Sequence, residues 1–578
     1  MTNLPDHLTF LYGAGKSAQY FDRVQKIMEG YRERISAREA SLTERDSILI
    51  TYGDQVQTHG EKPLQTLSAF CRQNLAGVVN GIHILPFYPW TSDDGFSVVD
   101  YRKVDPDLGG WEDISSMQSH FRLMFDGVIN HISSQSDWFK AFLNDDPHYR
   151  DYFVVVDGSP DLSQVVRPRA LPLLTSFSTL SGEKRVWTTF SDDQIDLNFQ
   201  NPEVLLEILD ILLMYVEQGA TFIRLDAIAY LWKEIGTSCI HLPQTHRVIQ
   251  FLREAMNDLA PHVHLITETN VPHIDNISYF GDGTNEAQLV YNFALPPLTL
   301  HTFRTGDARI LSDWAKTLTL PSEHVTFFNF LASHDGIGLN PARGILSSSD
   351  IDALVEKTLE HGGLVSYKHN SDGTQSPYEM NVNYFDALSN PQSVLQSQSL
   401  VSEVGTADET NFQSLDLQVN RFITAQAIML SLVGVPGIYF HSLFGSRGWM
   451  DGVRQTGRNR TINREKCDLN SLQRELADPQ SLRARVFVRF HQLLSARSKS
   501  PAFDPHGTQK ILDLHPSIFA LERFSRDGTS SVLCLHNVST QRITFSTHYK
   551  SGTDLFTGQP LQISQIALDP YQTLWMSL

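Results

Sequence analysis

The chain has 578 residues, 41% hydrophobic and 19% charged, an ordinary globular composition with material for a large core and a smaller second domain. With 46 Lys+Arg against 65 Asp+Glu the formal net charge is -19, which argues against nucleic acid or an anionic membrane surface as partner. The four scattered cysteines (Cys71, Cys239, Cys467, Cys534) form no CxxC or Cys/His cluster, so neither a disulfide framework nor a structural zinc site is expected.

Residues 1–45 read as a charged helical extension (SAQYFDRVQKIMEGYRERISAREASL) with no basic-then-apolar leader, and a cytoplasmic protein is expected. From about Ser47, short apolar runs alternate with amphipathic stretches. The strand-like runs are ILITY, GIHILPF, LMFDGVIN, IDLNF, FIRLDAIAY, HLITETN, LVYNFAL and TFFNFLASHD. Helix-like segments lie between several of them, such as LQTLSAFCRQNL and THRVIQFLREAMNDLA. The most apolar of these, VLLEILDILLMYV, is interrupted by Glu207 and Asp210 and is too short to span a bilayer. Near-continuous apolar strands joined by helices indicate buried parallel strands. Repeated about eight times, the pattern predicts an α/β fold, a (β/α)8 TIM barrel, over residues 46–504.

Two polar insertions interrupt the repeat, at about 132–193 and about 340–415. Insertions after barrel strands lie on the C-terminal face, where chemistry sits. Residues 505–578 change character: short β-rich runs are divided by Asp527-Gly528, Ser551-Gly552 and Thr557-Gly558 and read as a small C-terminal antiparallel β domain.

Several strand-like runs end in a carboxylate: Asp126 (with Asn130 and His131), Asp226 (with Arg224 and Tyr230), Glu268, and Asp335 (with His334). One such Asp is commonly a helix cap. Several at the C-terminal ends of different barrel strands converge on one pocket. Glycosyl transfer with retention needs two carboxyl groups about 5 to 5.5 Å apart, one to attack the anomeric carbon and one to protonate the leaving oxygen. Arg224, two residues before Asp226 on the same strand face, is placed to keep a nucleophile ionised.

The set DGVINH, FIRLDAIAY, ITETN and ASHDG resembles the four signature segments of the α-amylase superfamily. With ITYGD (50–54), GIHILPFYPWTSDDGFSVVDYRKVDPDLGGWEDI (81–114), RPRALP (167–172), RLDAIAYLWKEIGTSC (224–239), YNFALPPL (291–298), GVPGIYF (434–440) and GRNRTINR (457–464), it is closer to the sucrose phosphorylase subfamily, over about residues 46–470. The resemblance implies Asp226 as the nucleophile, Glu268 as the general acid/base, Asp335 as a third carboxylate gripping sugar hydroxyls, and a glucose subsite of Asp93, Phe96, His131, Arg224, His334 and Arg460. It implies no cofactor and no metal. Its partners would be inorganic phosphate, glucose 1-phosphate and a small glucoside or polyol acceptor, handled by a monomer or homodimer.

A phosphorylase must present phosphate to the glucosyl-enzyme, which calls for cations and hydroxyl donors beside the site. Arg167 and Arg169, Tyr230 and Tyr378 are the candidates, with Arg169 first. Where the subfamily commonly carries His two residues after the acid/base, this chain has Asn270. The stretches SDGTQSPYEMNVNYFDAL (371–388) and GIYFHSLFGSRGW (437–449) look more like the branch acting on glucosylglycerol or glucosylglycerate. Glucosylglycerol is the first expectation, suited to an acidic protein. Glucosylglycerate is the alternative, followed by sucrose and sucrose 6′-phosphate. No single cation marks an acceptor carboxylate. Rival readings are a hydrolase or transglucosylase of the same fold, and a non-catalytic amylase-like module that would tolerate loss of the carboxylates present here.

Overall fold

The computed structural model describes residues 3–36, 38, 41–168, 171–369, 374–391 and 414–578. Eight parallel strands close into a barrel in sequential order: β1 (Ile48–Thr51), β2 (Gly81–Ile84), β3 (Arg122–Gly127), β4 (Ala220–Leu225), β5 (His264–Thr267), β6 (Leu289–Tyr291), β7 (Thr326–Asn329) and β8 (Val435–Tyr439), with β8 pairing back onto β1. Strand β4 shows why the alternation is legible. All six of its residues are buried, because the barrel interior covers one face and helices cover the other. The following register is in step, Leu225 beside Thr267 and Arg224 beside Ile266, so the carboxylates after β4 and β5 emerge side by side.

The expected fourth strand, IDLNF, is not part of the barrel. Gln194–Asp196 pairs antiparallel with His131–Ser133 inside the first insertion, and the eighth barrel place belongs to Val435–Tyr439. All three residues of Gln194–Asp196 are buried, so an insertion strand and a barrel strand have the same apolar signature.

Before β4, helix Pro202–Glu217 starts at Asn201, whose side chain accepts from the Glu203 N–H, with Pro202 at the first helical position. Within its apolar run, Glu207 and Asp210 both face Arg102 at 2.8 and 2.7 Å rather than interrupting a membrane span. Among the described residues no helix is long and apolar enough to cross a membrane. The N-terminal extension is two helices, Leu4–Tyr12 and Ala14–Arg32, broken at Gly13, whose φ of +81° suits glycine. Leu4, Leu8, Leu11, Val24, Met28 and Tyr31 join the barrel's core at helical spacing. Burying a side chain of this size contributes roughly 1.5–3 kcal/mol.

The first insertion carries the antiparallel pair Leu174–Thr179 and Gly182–Trp187. The second carries helix Ser348–Glu360 and the pair Leu364–His369 and Gln375–Asn381, to which Ile337–Gly338 adds a third strand. At the C-terminus six antiparallel strands from Thr508–His515 to Thr573–Ser577 form one sheet. Alternation divides its faces: Val532 and Cys534 join the main core, Leu533 and Leu535 a separate small one. All four cysteines are free and buried.

Candidate active site

The strand ends converge on a cleft of about 780 Å³ lined by Asp93, Phe96, His131, Asp226, Tyr230, Glu268, Asn270, His334, Asp335, Tyr378 and Arg460, among others. Nearly every candidate from the sequence therefore meets in one place. Arg224 lies directly beneath, 3% exposed. Arg167 is exposed and does not line the cleft, although its neighbour Pro168 does. Arg169 lies outside the described residues.

Electrostatics order the floor. His83 Nε2 donates to Asp126 Oδ2 at 2.7 Å, Arg224 Nη1 donates to the other Asp126 oxygen, and the same Nη1 is 2.8 Å from Asp226 Oδ1. Asp126 is wholly buried; burial alone would raise its pKa, but Arg224 and His83 outweigh it and hold the group below the ordinary carboxylate range. Asp126 thus fixes Arg224, and Arg224 faces Asp226.

Glu268 accepts a hydrogen bond from the Ala227 N–H at 3.0 Å and stands 4.0 Å from Arg224 Nη2. Ala227 is left-handed at φ +49°, a strained state for a residue with a Cβ, and costs of order 1–3 kcal/mol. That turn aims its N–H back toward the neighbouring strand. Burial pushes both Asp226 and Glu268 upward and Arg224 opposes it; the charge of Glu268 adds to the rise of Asp226, and that of Asp335 to the rise of Glu268. Arg224 stands nearer to Asp226 than to Glu268, 2.8 against 4.0 Å, and so favours the negative charge on Asp226 of the two. Such a pair can attack an electrophilic carbon and protonate its leaving oxygen.

Asp335 has the reverse environment. Burial would raise it, but Arg460, His334, Arg464 and Arg224 hold it ionised below the ordinary range. Arg460 Nη1 pairs with Asp335 and, through Nε at 3.0 Å and Nη2 at 2.6 Å, with both oxygens of Glu379. Arg464 donates to the His334 carbonyl at 2.8 Å, pairs with Asp94, and lies 3.5 Å from Asp335.

The rings set the cleft's shape. Phe96 stacks on His334, with centroids 4.8 Å apart and planes 6° from parallel. Burial pushes His334 down to about 3 and His131 down to about 4, so both are neutral near pH 7. His131 Nε2 donates to the Phe96 carbonyl at 2.9 Å, and Asn130 Nδ2 donates to its Nδ1 at 3.2 Å. Behind them Lys233 Nζ meets Asp196 Oδ2 at 2.6 Å and Asn130 Oδ1 at 2.9 Å, all buried.

On the other side of the cleft, Asn270 Nδ2 lies 3.5 Å from Tyr378 Oη. A Cβ on Gly338 would sit 2.5 Å from Asn270, so glycine is required for this approach. Tyr230 packs edge-on to Phe190, and burial raises its phenol well above the ordinary value, leaving it a donor.

Sequence reasoning missed Glu379, Arg464 and Lys233. Arg464 had a signal, four residues after Arg460 in GRNRTINR. Glu379 and Lys233 had none, since their partners Arg460 and Asp196 are distant in sequence.

The model of the α-amylase catalytic domain matches residues 76–337. A glucosylglycerate phosphorylase of Allomeiothermus silvanus is 51% identical over 99% of this chain and 97% of its own. A glucosylglycerol phosphorylase of Marinobacter adhaerens is 28% identical over 79% and 88%. The crystal structure of sucrose 6F-phosphate phosphorylase from Thermoanaerobacter thermosaccharolyticum superposes with a TM-score of 0.72 at 23% identity, covering 91% of this chain and 98% of that one, and shares its fold. Half-identity over nearly the whole of both chains decides the matter: this protein belongs to the α-amylase family, in its sucrose phosphorylase subfamily, and is a phosphorylase.

Proposed function

We propose that the chain is a retaining glucosylglycerate phosphorylase, which converts an α-glucosylglycerate and phosphate reversibly into α-glucose 1-phosphate and glycerate. The observation that carries the substrate is the contrast in identity: 51% over the full length to a glucosylglycerate phosphorylase, against 28% over 79% of the chain to a glucosylglycerol phosphorylase. Glucosylglycerate therefore displaces glucosylglycerol, the first expectation from sequence.

In this reading Asp226 attacks the anomeric carbon as Glu268 gives its proton to the glycosidic oxygen, releasing glycerate and forming a β-glucosyl ester. Phosphate then attacks the same carbon from the vacated side, Glu268 takes up the proton phosphate loses, and Asp226 leaves as carboxylate. Arg224, held in place by Asp126, favours the ionised form of Asp226 between cycles. Asp335 and Arg460, with Asp93, His131 and the Phe96–His334 stack, grip the glucose. Asn270, Tyr230 and Tyr378 border the space where acceptor and phosphate alternate, and Arg169 of the RPR segment is the candidate for a phosphate contact, since Arg167 lies off the cleft.

The test is phosphate-dependent release of glucose 1-phosphate, run in parallel on glucosylglycerate, glucosylglycerol, sucrose and sucrose 6′-phosphate. Release from glucosylglycerate above the others supports the reading. Release chiefly from another donor overturns the substrate, and free glucose formed equally without phosphate would overturn the phosphorolysis.

A further inference from the structure

Arginines in the cleft each face a carboxylate: Arg224 faces Asp126 and Asp226, Arg460 faces Asp335 and Glu379, and Arg464 faces Asp94. Two cations beside the strand that carries Tyr378 do not. Arg343 Nη2 donates to the Pro377 carbonyl at 3.2 Å and its Nε to Asn340 Oδ1 at 3.3 Å; Lys368 Nζ reaches the same Oδ1 at 3.4 Å. Among the described residues neither forms an ion pair with a carboxylate.

The sheet explains how they meet. Gln375–Asn381 is its central strand, with Ile337–Gly338 on one edge and Leu364–His369 on the other. Lys368 pairs with Ser376 in register, while Asn340 and Arg343 follow the opposite edge strand. To share Asn340 with Arg343, the lysine side chain crosses the central strand. The two cations thus bracket the residues just before Tyr378, whose side chain lines the cleft against Asn270.

Two like charges sharing one neutral acceptor repel each other, the more so because Lys368 is half-buried. Burial first, and then the charge of Arg343, push its ammonium below the ordinary lysine value. In a chain of net charge -19, an unbalanced positive pair beside the strand of the cleft-lining Tyr378 is a local attraction for anions that the rest of the surface repels. A neutral polyol would leave that pair without a counter-charge.

We propose that Arg343 and Lys368 form a binding site for a small oxyanion at the acceptor side of the cleft. The inference rests on the proposed reaction, whose two exchanged partners, a carboxylate acceptor and phosphate, share this chemistry. The test compares K368M and R343Q with the charge-keeping K368R and R343K. Three readouts are taken: KM for glycerate in synthesis from glucose 1-phosphate, KM for phosphate, and kcat/KM for hydrolysis of the neutral donor α-glucosyl fluoride.

Both charge-removing variants are expected to raise KM for one of the anions by about five- to tenfold. The charge-keeping variants should restore it, and the neutral donor should change by less than about twofold. A rise in the glycerate arm assigns the pair to the carboxylate, a rise in the phosphate arm to phosphate. Unchanged KM for both anions, or an equal loss with the neutral donor, would overturn the proposal. If the wild-type protein releases no glucose 1-phosphate from glucosylglycerate, the substrate reading fails separately. The phosphate arm, run with glucosyl fluoride as donor, still decides the role of the cations.

Discussion

Glu379 holds Arg460 at two points, Nε to Oε1 at 3.0 Å and Nη2 to Oε2 at 2.6 Å, and so ties a strand of the second insertion to the barrel's catalytic end. Glu379 is 2% exposed, and Arg460 shares its third nitrogen with Asp335. Glu379→Gln removes the charge and one acceptor while keeping the shape. A hydrogen bond to a charged group contributes roughly 1.5–3 kcal/mol, so kcat/KM for glucose 1-phosphate should fall by about ten- to a hundredfold. Steady-state kinetics checks this, with an unchanged melting temperature showing that the fold is intact.

If Asp226 forms the glucosyl ester, Asp226→Asn should lower kcat by about 10⁴-fold or more, as removal of a nucleophile does elsewhere. A deoxyfluoroglucosyl fluoride should add its sugar mass to the wild-type chain in intact mass spectrometry and not to the variant. A labelled D226N protein would move the nucleophile to another residue.

Glu268 carries a raised pKa, because burial disfavours its charged form and the charge of Asp335 adds to the effect. The contribution of a raised group is fully present below the ordinary glutamate value of about 4.3 and is lost as pH rises through the folded value. Glu268→Gln should therefore melt higher than wild type at about pH 8 and alike at about pH 4. Its kcat should lack the alkaline limb that loss of the Glu268 proton gives the wild type. Equal melting temperatures at the higher pH would mean that the group is not held protonated.

Lys233 and Asp196 form a buried pair at 2.6 Å, 3% and 0% exposed, under Asn130 and His131. Lys233→Met strands a buried carboxylate, which costs roughly 3–5 kcal/mol. Urea denaturation should show that loss, and adding Asp196→Asn should recover part of it. Two single losses that simply add would mean that the residues are independent.

Much of the site was readable before the fold was known. Asp226 and Glu268 directly follow apolar strands, Asp335 comes six residues after the end of β7, and the period of two along β4 puts Arg224 on the same side as Asp226. These are local relations within one segment. IDLNF misled because burial, not barrel membership, makes a strand apolar, and it is buried inside the insertion.

By itself, then, the sequence determined the alternation of buried strands and helices, with seven of the eight barrel strands, the carboxylates that follow them and the β-rich C-terminus, all of which follow from periodicity over a few residues. The tertiary structure alone decided that Val435–Tyr439 closes the barrel, that Glu379 braces Arg460 across 81 positions, and that Lys368 and Arg343 share Asn340. The physical reason is common to all three. An ion pair or a strand neighbour depends on distance in space, and residues far apart along the chain leave no period by which to find each other.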